Sequence, residues 1–148
     1  MDNQLSLIGC ADAQYSTVHK TEQIIDHFPI IYREEGSATR LAMENYFKNY
    51  GGINSKKMEL TSNEAVKQAV IAGIGCSLMP VIGLKHELQA NELRIIPRQD
   101  LPINTKWNLI WLKQKKLSFA GIAYIAFLKD NKEEITEQHF SWCKKYAE

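Results

Sequence analysis

The feature that most constrains this sequence is its rhythm, in which short apolar runs alternate with stretches whose apolar residues recur every three or four positions. Such alternation specifies an α/β architecture and predicts a mainly parallel sheet with helices packed on it. Residues 5–9, 29–32, 57–60, 76–79 and 93–96 read as strands, and 21–27, 37–49, 62–72 and 81–90 as helices. In 37–49, Met43 and Phe47 lead to Tyr50 at i, i+4, i+7, and Gly51-Gly52 follows as a stop. In 62–72, Val66, Ala69 and Val70 face inward, while Thr61 with Glu64 three residues on reads as a capping box. Pro80 lacks the N–H needed to extend the strand before it, and 97–105 reads as a connector.

The last third is denser in apolar residues. Trp107, Leu109, Ile110, Trp111 and Leu112 within 106–113 predict a strand buried on both faces. Ser118 is placed to cap a following helix, whose Phe119, Ile122, Ala123, Ala126 and Phe127 form one stripe that needs a packing partner. An amphipathic piece over 135–146 adds Phe140, Trp142 and Cys143.

Composition narrows the function classes. With 148 residues, 45% hydrophobic and 24% charged, the chain suits one domain, or one lobe with part of another, and excludes a disordered tail or a fibre. A net charge of +1 supplies no broad basic field, so any DNA-binding part is expected outside these residues. No run of eighteen apolar residues occurs, and the first residues carry neither a basic start nor a long apolar stretch. A cytoplasmic protein without a membrane partner is the expectation. Cys10, Cys76 and Cys143 are widely spaced and read as free thiols. His19, His27, His86 and His139 have no metal-ligand spacing, and neither GxxxxGK nor GxSxG occurs, so no metal, cofactor or catalytic set is expected.

Two strand-to-helix junctions carry the chemistry that remains: Glu35-Gly36-Ser37-Ala38-Thr39-Arg40 and Thr61-Ser62-Asn63. A helix start leaves backbone N–H groups unpaired and carries partial positive charge, so it attracts carboxylates and phosphates. In an open α/β sheet both junctions lie beyond the strand C-termini, where ligands bind. Ser37 and Thr61 would also serve as N-caps with no ligand present, each stabilising its helix by about 1 kcal/mol. Ser77 is a third rim candidate, with a backbone-bonded core role equally open. Glu34 and Glu35 have no nucleophile or His beside them and read as solvated or ion-paired. Arg33 and Arg40 could each clamp a ligand carboxylate, although Glu44 stands at i+4 from Arg40 and favours a structural pair.

The wording from Pro29 to Arg40, with REEGSATR at its centre, then Thr61-Ser62-Asn63 and the stretch from Ala72 to Pro80, resembles the effector-binding domain of LysR-type transcriptional regulators. Glu87-Leu88-Gln89-Ala90-Asn91-Glu92-Leu93 is similar to the family's EL-x-x-G-x-L passage, with Asn91 where glycine is common. REEGSATR is most similar to the carbon-fixation branch. The resemblance spans residues 5–130 and implies a periplasmic-binding-protein type II fold, two α/β lobes joined by crossing strands with a small molecule between them. It implies that 1–28 end the first lobe, 29–105 form the second, 106–130 return to the first, and 131–148 are a C-terminal extension. Carried over, the ligand-binding positions are Gly36, Ser37, Thr39, Thr61 and Ser62, with Ser77 beside them. The implied ligand is a small polar or anionic effector. The implied partners are DNA, reached only through a winged helix-turn-helix outside this chain, and further copies of the protein. The apolar stripe from Phe119 to Phe127 strengthens the expectation of self-association. The rivals are a transport-type solute-binding lobe, which needs an export signal, and an enzyme such as a dehydratase-like protein, which needs an acid or base in the cleft.

Overall fold

The computed structural model describes residues 1–11, 25, 27–49 and 56–146. The helix expected over 21–27 and the stop at Tyr50-Gly51-Gly52 lie largely outside them; Ile25 and His27 are helical. The strands are β1 (Asp2–Cys10), β2 (Ile30–Arg33), β3 (Lys57–Leu60), β4 (Ser77–Pro80), β5 (Leu93–Ile95) and β6 (Ile103–Lys106). The helices are α1 (Ala38–Asn49), α2 (Asn63–Ile71), α3 (Lys85–Gln89), α4 (Phe119–Asp130) and α5 (Lys132–Phe140), with 3-10 turns at Val81–Gly83 and Ser141–Tyr146.

β2 and β3 pair in parallel, Ile30 opposite Lys57 and Arg33 opposite Leu60. A parallel bridge between Ile30 and Cys76 joins β2 to β4, through Ile31 N–H on the Cys76 carbonyl (2.8 Å) and Cys76 N–H on that of Pro29 (2.9 Å). Gly75 permits this approach, because a Cβ there would stand 2.3 Å from the Pro29 carbonyl oxygen. β1 then runs antiparallel to β4 on one side and to both β5 and β6 on the other. The α/β class therefore holds, but the mainly parallel expectation is corrected to a mixed sheet. Buried apolar runs look alike in either direction, so composition does not encode strand polarity.

Alternation along the strands divides the core in two. Leu7, Ile30, Tyr32 and Leu78 point to the layer that holds Met43, Tyr46 and Phe47 of α1. Their neighbours Ile8, Ile31 and Met79 point to the opposite layer, with Val66 and Val70 of α2. Each helix thus covers one face of the sheet, the period-2 pattern of the strands meeting the period-3.6 stripe of the helices.

Three expectations are corrected downstream. The helix expected over 81–90 is a 3-10 turn followed by α3, with the buried Leu84 between them beside Gly83, a residue unfavourable inside a helix. Asn91 follows at φ 56°, with Asn91 N–H on the Leu88 carbonyl and Glu92 N–H on that of Glu87, the Schellman pattern that ordinarily takes glycine. The connector over 97–105 contains most of β6, whose Asn104 and Lys106 are exposed while Ile103 packs against the core. The strand expected over 106–113 ends at Lys106. Trp107, Leu109, Ile110, Trp111 and Leu112 are all exposed, and the run is neither strand nor helix.

Candidate functional site

Because β2 and β3 are parallel and in register, both end at one edge of the sheet, and each delivers the chain straight into a helix. At the first junction Gly36 turns the backbone at φ 87°, open space that a side chain could fill but a conformation that favours glycine. Ser37 caps α1: its carbonyl accepts from Leu41 N–H at 3.1 Å and its hydroxyl from Arg40 N–H at 3.5 Å. The first-turn N–H groups of Ala38 and Thr39 have no hydrogen-bond partner among the described residues. Thr39 is half-buried in that turn.

At the second junction the cap falls one residue later than expected, and Ala65 rather than Glu64 stands three residues after it, so the expected capping box is replaced by a simple serine cap. Ser62 is the cap, its hydroxyl accepting from Ala65 N–H at 3.0 Å. β3 pairing extends through Leu60, so the first helical residue is Asn63 and the cap position falls on Ser62. Thr61 is left exposed, with its hydroxyl unbonded among the described residues. Glu64 turns to Gln68 (3.0 Å) and Lys67 (2.8 Å), and Lys67 reaches Glu87 of α3 at 2.6 Å.

The arginines are already engaged. Arg33 donates to both carboxylate oxygens of Glu34, at 2.7 and 2.8 Å, and to the Asn63 side chain, tying the two junctions together. That bidentate bond, with a backbone hydrogen bond, lowers the Glu34 pKa to about 2. Arg40 donates to Glu44 at 2.8 Å, as its i+4 spacing predicted, and also to Glu59 and the Arg33 carbonyl. These carboxylates, Glu44 first, raise its pKa further above the ordinary arginine value. What remains open at the rim is a pair of helix starts with unpaired N–H groups, flanked by hydroxyls, beside a cavity of about 480 Å³ lined by Gly36, Ser37, Arg40 and Leu41. A smaller cavity of about 110 Å³ opens beside Asn63, Lys67, Pro80 and Trp107. Such an arrangement binds an anion through backbone donors rather than through a free cation.

The structure brings Gly36, Ser37, Thr39, Thr61 and Ser62 to one sheet edge. Ser77 lies at the opposite end of its short strand, 1% exposed, and its hydroxyl donates to the Ile31 carbonyl at 2.6 Å. Its backbone-bonded role is therefore visible. Glu59 and Lys67 were not singled out by sequence, and Asn63 only as part of the second junction. The Glu64–Lys67 spacing could have flagged one of them, but the reach of Asn63 and Glu59 to the arginines depends on strand register.

Residues 7–133 match the family model described as LysR substrate binding domain. The chain is 37% identical over 100 residues to the RuBisCO operon transcriptional regulator of Acidithiobacillus ferrooxidans, covering 68% of this chain and 32% of that protein. It is 33% identical over 133 residues to the HTH-type transcriptional activator CmpR of Synechocystis sp., covering 88% and 44% respectively. Among solved structures, the Synechocystis PCC6803 CcmR regulatory domain in complex with 2-PG aligns with a TM-score of 0.72 at 31% identity, over 88% of this chain and 63% of that one. The apo regulatory domain of HypT from Salmonella typhimurium shares the fold, with a TM-score of 0.66 at 14% identity. This chain spans about a third to just under a half of these curated relatives.

Proposed function

This chain belongs to the LysR substrate-binding domain family and has its periplasmic-binding-protein type II-like fold, and from that premise we propose that it is a ligand-sensing part of a bacterial transcription regulator, binding a small polar or anionic metabolite at the rim formed by Gly36, Ser37, Thr39, Thr61 and Ser62. Ser77, at the other end of β4, ties that strand to β2 through the Ile31 carbonyl instead of lining the rim. The observation that carries the reading is the adjacency of two helix starts at the ends of β2 and β3, with first-turn N–H groups lacking partners. The CcmR regulatory domain was solved with 2-PG, which makes 2-PG the first probe.

In this reading residues 29–105 are one lobe, 1–28 and 106–130 connect it to a second, and 131–148 extend beyond. DNA is contacted through a helix-turn-helix outside these residues, in the cytoplasm, within a homo-oligomer. The domain catalyses no reaction. A ligand shifts the regulator only if it binds one lobe arrangement better than the other, so its contacts must include groups that move relative to this rim. The transport-type alternative has no observation here that favours it.

Calorimetric titration of 2-PG tests the site. A hydrogen bond to a charged ligand contributes about 1.5–3 kcal/mol, so Ser37→Ala and Thr61→Ala should each weaken Kd roughly ten- to a hundredfold. Ser37→Ala also removes a cap, so circular dichroism must first confirm that α1 is intact. Unchanged 2-PG affinity in both variants overturns the assignment.

A further inference from the structure

Arg33 is pinned at both ends without its charge partner. Its Nη1 donates to the side chain of Asn63, the first residue of α2, and its carbonyl accepts from Arg40 Nη1 at 3.1 Å. The Asn63 bond sets the guanidinium at the start of α2, next in the chain to Thr61 and Ser62. The edge made by Nε and Nη2, the one shaped for two oxygens, is filled by the Glu34 carboxylate at 2.7 and 2.8 Å. Glu34 is held more loosely. It belongs to neither β2 nor α1, and its side chain is 34% exposed against 18% for Arg33. Among the described residues that fork is the only side chain bonded to its carboxylate. Turning the Glu34 side chain outward therefore breaks no ladder and buries no charge, and the Asn63 bond keeps the fork where it is. An ion pair between such exposed neighbours adds only modestly to stability. Its other effect is to keep a carboxylate on the one arginine that ties the two rim junctions together.

We propose that Arg33 receives the acidic group of the ligand, and that Glu34 is a tethered stand-in for that group, displaced when a ligand carboxylate or phosphate enters the fork. The proposal rests on the rim reading above and adds the cation that the rim otherwise lacks. It also gives the rim a threshold. A tethered carboxylate stands at high effective concentration, so a free monoanion with no other contact loses the competition. A ligand that also reaches the unpaired first-turn N–H groups of α1 gains bonds that the Glu34 carboxylate does not make, and displaces it. The class selected is a small organic oxyanion with a second polar group a few bonds from the first.

Calorimetry with 2-PG on the whole chain, at about 0.15 M salt, tests it. Glu34→Gln should tighten binding about three- to fivefold by removing the competitor. Glu35→Gln, which removes the same charge one residue on, reads the general field of the rim and should change Kd by less than about twofold. Arg33→Gln should weaken binding at least about tenfold, and in the Arg33→Gln background Glu34→Gln should bring no gain. A second readout needs no variant. In the free protein the Arg33 bonds hold the Glu34 carboxyl down to about 2, and saturating 2-PG should return it towards the ordinary carboxylate range, followed by carbon-13 NMR of that carboxyl. If 2-PG fails to bind the wild type, the rim reading falls and this proposal with it. If 2-PG binds and Ser37→Ala weakens it, while Glu34→Gln gains no more than Glu35→Gln or the Glu34 titration is unmoved, the rim stands and the stand-in is overturned.

Discussion

Residues 1–106 and residues 107–146 obey the same local code and reach opposite outcomes. In the first part every strand except β3 and β6 places buried side chains on the sheet, and α1 and α2 each bury a stripe against it. In the second part no residue is buried. Yet Ser62 caps α2 and Ser118 caps α4 with the same geometry, the serine hydroxyl accepting a first-turn N–H at 3.0 and 3.1 Å. A cap fixes where a helix begins, whereas burial requires another element to lie against it.

The contrast is broken most directly by paired truncations. Leu78, fully buried between the layers, should lose about 3 kcal/mol on Leu78→Ala, while Phe119→Ala should change chemical unfolding of the chain by no more than about 0.5 kcal/mol. Equal losses would mean that α4 belongs to the same cooperative unit as the sheet. The caps sharpen the point at smaller scale. Ser62→Ala should cost about 1 kcal/mol of global stability, while Ser118→Ala should show only as faster amide hydrogen exchange within α4.

Smaller effects follow at the rim and at α3. Asn91→Gly, at a positive φ, should be stabilising by a few tenths of a kcal/mol in thermal unfolding, and Asn91→Val destabilising. Acid should weaken the first part selectively. The Arg33 hydrogen bonds hold the Glu34 pKa down to about 2, so their contribution is present above the ordinary carboxylate value of 4.5 and fades as pH falls towards 2. Unfolding followed between pH 5 and 2 should show that part of the loss disappearing in Arg33→Gln, and an identical pH profile would refute the coupling.

Much of this division was legible in the sequence, for reasons particular to each element. β2, β3 and β4 are bounded by turn residues, and α1 carries a full apolar stripe, so both strand and helix periods were visible. The i+4 spacing of Arg40 and Glu44 gave one ion pair, and hydroxyl residues after β2 and β3 gave the rim. Three things were not legible. Glu64 three residues on favours Thr61 as the cap over Ser62, which has Ala65 there, yet β3 pairing runs through Leu60 and the cap falls on Ser62. The run from Trp107 to Leu112 has the composition of a buried strand, but burial belongs to its surroundings rather than to the run. The hydroxyl of Ser77 meets the Ile31 carbonyl across 46 residues, a contact that no local pattern announces.

The place of β1 at the heart of the sheet has a consequence for synthesis. It leaves the ribosome before every strand it pairs with, since its partners lie at residues 77–80, 93–95 and 103–106. At about 5–20 residues per second, roughly 5–20 s separate the emergence of Leu5, Leu7 and Ile8 from that of the last strand that pairs with them. During that interval the nascent chain carries an apolar strand with two open edges, which makes it a natural client for ribosome-associated chaperones.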